Sequence, residues 1–127
     1  MSDALPLAGT LVVDLTRMLP GAVLVRCLVD LGARVVKVED PNGGDALRHA
    51  PPLVDVEGAG RMGAGFATFF RGVESAALDL RTERGAAAAR ALAARADVLV
   101  ESFRPGTLAR FGLDPERLRA ATVPLTA

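Results

Sequence analysis

The sequence is poor in the residues that most often carry chemistry. Its 127 residues include one cysteine, one histidine and one lysine, and neither tryptophan nor tyrosine. A lone Cys27 cannot close an internal disulfide, which fits a reducing compartment. It lies in an apolar helical pattern with no cation placed to lower its pKa, so it reads as a small buried core residue rather than a nucleophile. Cys27 and His49, the latter in a Pro-rich loop, are too few to hold a metal. An excess of one charge is missing as well, because fifteen basic and fifteen acidic residues cancel. That excludes the basic stripe of a nucleic-acid binder. No apolar run is long enough to span a bilayer, and the opening Met1-Ser-Asp-Ala-Leu-Pro6 lacks a charged segment followed by an apolar one. These absences predict a cytoplasmic protein with no nucleic-acid partner, no membrane partner and no metal.

What is present is a regular alternation. Half of the residues are hydrophobic, enough for one domain with one core, spanning residues 1–127. Leu11-Val-Val-Asp-Leu15 reads as a buried strand, Pro20 to Leu31 as an apolar helix stopped by Gly32, and Arg34-Val-Val-Lys-Val-Glu39 as a second strand. This is one βαβ unit with a right-handed crossover. A Gly/Pro-rich passage from Asp45 to Gly65 predicts a long surface loop. Ala76 to Leu80 reads as a third strand, and Thr82 as the cap of an Ala-rich helix to about Ala96 in which Gly85 is the weak point. Asp97 to Glu101 is the next strand. Thr107 to Phe111 forms a short helix closed by Gly112, and Asp114-Pro115 starts another. Val123 to Leu125 opens a further strand. The pattern predicts an α/β fold, a Rossmann-like doubly wound parallel sheet that is incomplete at its C-terminal end.

The richest stretch is Val98-Leu-Val-Glu-Ser-Phe-Arg-Pro-Gly106, where a buried strand breaks into a loop. Ligands of open α/β sheets sit just beyond the carboxyl ends of strands. Here that position offers the hydroxyl of Ser102, the ring of Phe103 and the charge of Arg104, with Arg110 following. The grouping suits an anionic ligand with an apolar or aromatic part, such as an acyl-nucleotide thioester; a helix-capping loop with solvated arginines is the plainer alternative.

Taken in order, Pro6-Leu-Ala-Gly9, Leu11 to Gly21, Asp30 to Glu39, Gly43-Gly-Asp45, Ala77-Leu-Asp-Leu80 and Ala96 to Gly106 closely resemble the N-terminal part of class III CoA-transferases. That family includes formyl-CoA and carnitine CoA-transferases and the related α-methylacyl-CoA racemases. The resemblance runs from about Leu5 to Val123. It implies transfer of CoA between an acyl-CoA and a carboxylic acid, with coenzyme A or acyl-CoA as substrate and no permanently bound cofactor. The matching CoA-binding positions are Leu19 and Pro20, Asp40, Leu78, Asp79, Leu80 and Arg81, then Ser102, Phe103 and Arg104, and Arg110. Arg81 and Arg110 would neutralise phosphates, while Phe103 and Leu78 would wall an adenine or pantetheine arm. Relatives carry a Lys-Arg pair where this chain has Val73-Glu74. If these positions border the CoA phosphates, the exchange weakens binding.

The family's reaction runs through an aspartate that forms a mixed anhydride and then a CoA thioester. The resemblance puts that residue downstream of the matched region, as it does the acid-base pair of the racemases, so no catalytic residue is assigned here. Asp14, Asp79 and Asp97 fall in strand patterns at non-catalytic positions. The family's interlocked dimers imply a homo-oligomer, or a complementing C-terminal polypeptide. Two alternatives stay open: a stand-alone binding or assembly module of the same fold, and a dinucleotide-binding domain with Glu39 as the ribose-binding acid. The latter needs three glycines in the first turn, where Thr16-Arg-Met-Leu-Pro-Gly21 has one.

Overall fold

The computed structural model describes residues 3–121. In chain order its elements are β1 (Leu11–Leu15), α1 (Met18–Asp30), β2 (Arg34–Glu39), a 3-10 turn (Ala46–Arg48), β3 (Leu53–Val56), β4 (Gly60–Gly63), α2 (Ala64–Phe69), β5 (Glu74–Ala77), α3 (Glu83–Arg95), β6 (Val98–Glu101), α4 (Thr107–Arg110) and α5 (Pro115–Ala121). Four strands form one sheet in the order β5-β2-β1-β6, and every pairing in it is parallel. This is the doubly wound α/β arrangement that the alternation predicts. Val123 to Leu125 lie outside the described residues.

Side-chain alternation splits the core into two layers. Val12 and Val35 pack with Ala22 and Val25 of α1 and with Phe66 and Phe70 on one face of the sheet. Val13, Leu15 and Val38 pack with Ala89 of α3, Leu108 and Leu113 on the other. A strand buried on both faces has no polar side to alternate with, which is why β1 and β2 read as nearly continuous apolar runs.

The passage from Asp45 to Gly65 is not a loop. It folds into the 3-10 turn, the antiparallel β3-β4 hairpin and the start of α2. Both hairpin strands are largely exposed, so no hydrophobic alternation marks them, and the glycines at both ends of β4 and the Pro51-Pro52 pair before β3 argue against strands. Gly63 is required by packing: a Cβ there would collide with the carbonyl oxygen of Leu47. The third sheet strand lies two residues earlier than Ala76–Leu80 predicts. The N–H of Leu78 still reaches the carbonyl of Glu39, and the chain then turns, with Thr82 N–H bonding to the Asp79 carbonyl. Gly85 proves a necessity rather than a weak point, because a Cβ would strike that same Asp79 carbonyl. Cys27, expected in the core, is exposed. α1 is apolar almost all round, so periodicity could not tell that Gly21, Ala22 and Val25 face the sheet while Leu19, Val23, Leu24 and Leu31 look outward.

One buried charge ties these layers together. Lys37 stands opposite Asp14 in the β1-β2 register and is 1% exposed. Its ammonium lies 3.2 Å from Asp14 Oδ2, 3.1 Å from Asp45 Oδ2 and 2.8 Å from the Thr16 carbonyl. It also sits 4.6 Å from the centre of the Phe70 ring. Asp14 in turn accepts the Thr16 N–H at 2.7 Å. Removing one partner of such a cluster leaves buried charge unmatched. Lys37→Met is therefore expected to cost about 3 kcal/mol or more of folding stability, measured by urea unfolding at neutral pH.

Candidate functional site

All four sheet strands point the same way, so the segments that follow them converge on one edge. After β1 come Thr16 and Arg17, after β2 Asp40, after β5 the turn Leu78–Arg81, and after β6 Ser102–Arg104. The sheet order places β1 between β2 and β6, the crossover from β2 leading away on one side and the later elements returning on the other. Such a reversal opens a crevice at the carboxyl edge.

The crevice holds an open cleft of about 210 Å³. Leu15, Val38, Leu78 and Leu80 give it an apolar floor, and Phe103 and Phe111 one wall, their rings 6.3 Å apart edge to face. Asp40, Asp79, Arg81 and Arg17 supply the charge at its rim. Arg81 is held by Asp79 at 2.9 Å and Asp40 at 3.7 Å. Its hydrogen bond to Asp79 keeps that carboxyl below its ordinary range and raises the guanidinium above its own.

Glu39 borders the cleft but is closed off from it. It is 5% exposed and accepts Arg48 at 2.7 and 2.8 Å, Ser75 Oγ at 2.5 Å and the Asp45 N–H at 2.9 Å. Burial pushes its carboxyl up. The hydrogen bonds from Arg48, Ser75 and Asp45 outweigh that and bring it down to about 2.

Of the residues singled out in the sequence, Asp40, Leu78, Asp79, Leu80, Arg81 and Phe103 come together around the one cleft. Leu19, Pro20, Ser102, Arg104 and Arg110 do not line it. Ser102 is turned to the β1 end, where its Oγ accepts the Arg17 N–H at 2.9 Å. Arg104 lines a separate groove with Pro105, Leu108 and Asp114. Leu19 and Pro20 are exposed on the first turn of α1, and Arg110 is exposed at the end of α4.

Residues 7–125 match CoA-transferase family III. The chain belongs to that family. It is 42% identical over 116 residues to the succinate–glutarate CoA-transferase of Agrobacterium fabrum, covering 90% of this chain and 29% of that protein. It is 44% identical over 108 residues to the succinyl-CoA:mesaconate CoA-transferase of Haloarcula hispanica, covering 85% and 27%. A CaiB/BaiF family protein from Brucella suis superposes with a TM-score of 0.85 at 45% identity, covering 94% of this chain and 32% of that one. The chain thus spans under a third of the length of these relatives.

Within the family III fold, the exchange at Val73-Glu74 does not touch the cleft. Glu74 opens β5 at the opposite, amino edge of the sheet, where it pairs with Arg34 at 2.6 Å, and Val73 packs into the α1-side core. Neither residue borders the cleft, so a ligand held there does not meet the exchanged pair. Family membership also displaces the dinucleotide alternative, and the capture of Glu39 by Arg48 and Ser75 leaves it no free oxygen for a ribose.

Arg17 was missed by sequence reasoning although it follows β1 directly. The rule that ligands sit beyond strand ends applies to β1 as well as β6, and a cation at that position was the available signal. For Glu39, folding stability drawn from its low pKa is complete above its ordinary value of 4.5 and lost as pH falls toward about 2. Urea unfolding of wild type and Glu39→Gln at pH 6 and pH 2.5 is expected to show the wild type losing on the order of 2 kcal/mol more than the variant.

Proposed function

We propose that this chain is the CoA-binding part of a CoA-transferase, acting on an acyl-CoA and a carboxylic acid, with residues 1–127 forming one N-terminal unit. The observation that carries the reading is the convergence of three separate strand ends on one cleft. Asp40, the Leu78–Arg81 turn and Phe103 surround an apolar floor with charge at its rim. Such a cleft suits a thioester ligand whose pantetheine or adenine part packs on Leu78 and Phe103 while its phosphates stay at the wet, charged margin. The relatives' names support the same class of substrate, since the matched proteins of Agrobacterium fabrum and Haloarcula hispanica are both CoA-transferases.

The nucleophilic carboxylate of the reaction is assigned to none of the aspartates singled out in the sequence. Asp14 is committed to Lys37 and to the Thr16 N–H, Asp79 to Arg81, and Asp97 to the Leu11 N–H at 2.8 Å. A complementing polypeptide would supply that nucleophile, and a homo-oligomer is the other assembly the reading allows. Among the described residues no helix is long and apolar enough to cross a membrane, and the single cysteine supports a cytoplasmic setting.

Isothermal titration of the 127-residue chain with CoA at low salt is expected to show saturable one-to-one binding. Phe103→Ala is expected to weaken it by about 1 kcal/mol, roughly fivefold. With succinyl-CoA and glutarate, chromatography is expected to show no transfer above background hydrolysis. The absence of any CoA binding at millimolar concentration would overturn the reading.

A further inference from the structure

Arg17 sits at the seam of the carboxyl edge, where β1 gives way to α1. Its backbone is fixed by Ser102, and its guanidinium lies 5.3 Å from the centre of the Phe103 ring. It lines the cleft described above and also an adjoining hollow of about 200 Å³ bounded by Thr16, Met18, Lys37, Gly44 and Asp45. The two spaces adjoin along Arg17, Val38, Glu39 and Asp40, which line both.

The charges around these spaces are unevenly satisfied. Lys37 has two carboxylates, Asp14 and Asp45. Arg81 has two, Asp79 and Asp40. Glu39 is matched by Arg48. Arg17 alone among the cations lining the two spaces pairs with no described carboxylate. An aromatic face holds a guanidinium in place without neutralising it. The two spaces are lined by three cations, Arg17, Lys37 and Arg81, and four carboxylates, Asp40, Asp45, Asp79 and the Arg48-paired Glu39, so Arg17 is the one cation there with charge left for an anion.

Three further observations concern the same spot. Thr16 is 3% exposed, and its hydroxyl has no hydrogen-bond partner; a buried hydroxyl is normally satisfied. Met18 is the one non-glycine residue with a left-handed backbone among those described, at φ 66°, a conformation that tends to mark binding sites. α1, thirteen residues long, starts here with no capping side chain, and its first residue, Met18, lines the hollow.

We propose that Arg17, with the start of α1, binds an oxyanion of the substrate, either a carboxylate of the acid or a phosphate of CoA. The proposal rests on the reading of the crevice as a substrate site and names the group that anchors charge there. Arg81, already shared between two carboxylates, is then a rim residue rather than the main anchor.

The test titrates the 127-residue chain separately with CoA, succinate and inorganic phosphate, following heat and backbone amide shifts. Wild type, Arg17→Gln, Arg17→Lys and, on the distant β3-β4 hairpin, Arg61→Gln are compared after thermal melts establish equal folding. Arg17→Gln is expected to weaken at least one oxyanion about tenfold, Arg17→Lys less, and Arg61→Gln not at all. The amides of Met18 and Ser102 are expected to shift in wild type on binding. A loss confined to succinate assigns a carboxylate, and a loss shared by phosphate and CoA assigns a CoA phosphate. Arg17-dependent succinate binding without any CoA binding would uphold this inference while removing the CoA reading. CoA binding that is equally tight in Arg17→Gln, with no Arg17-dependent binding of succinate or phosphate, would overturn the inference and leave the CoA reading standing. No binding of any of the three would overturn both.

Discussion

The contact between Lys37 and its oxygens is the constraint on which the rest of the molecule is built. The only lysine of the chain is buried at the middle of the sheet, and its partners come from three places: Asp14 within β1, Thr16 where β1 ends, and Asp45 in the turn beyond β2. The same ammonium rests on Phe70, which closes α2. Burying a charge is costly unless it is fully matched, so each of these segments has one position open to it. The consequence is that the β1 end, the β2 end and the hairpin-helix insertion are set relative to one another by a single side chain. The crevice lies directly on that fixed frame.

A second cluster extends the frame toward the sheet edge. Glu39 gathers Arg48, Ser75 and the Asp45 backbone, and Arg48 stacks 4.0 Å from the Phe66 ring. Both clusters lie on the α1-α2 side of the sheet, where the charges are buried and internally balanced. The α3 side is the reverse, with Leu15, Val38, Leu78 and Phe103 giving an apolar surface. The carboxyl edge is therefore divided between a saturated polar half and an apolar cleft, and Arg17 stands on the boundary.

Much of this was legible in the chain. β1 and β2 fall at Leu11–Leu15 and Arg34–Glu39, as their β-branched runs predict, and Thr82 caps α3 by accepting the Gly85 N–H at 3.0 Å. Six of the proposed ligand positions meet at one cleft because a parallel sheet brings successive strand ends to one edge. The hairpin escaped because its strands are exposed and carry no alternation. The Lys37 cluster escaped for a different reason: Asp14, Lys37 and Asp45 acquire meaning only through strand register, which local pattern does not encode. The outward placement of Cys27 was hidden by a helix that is apolar on nearly every side.

The packing of α3 onto the turn after β5 has a mechanical consequence. Gly85 lets the helix backbone rest against the Asp79 carbonyl, and Thr82 Oγ1 donates to that carbonyl at 2.9 Å while accepting from Gly85. Leu78, Asp79 and Arg81 are thereby welded to a thirteen-residue helix, and this margin of the crevice cannot swing aside for a bulky guest without carrying the helix with it. The opposite margin is built from exposed Arg17 and the half-buried ring of Phe103, both on loops that follow strands. Shape selection for a guest therefore resides in the helix-backed margin.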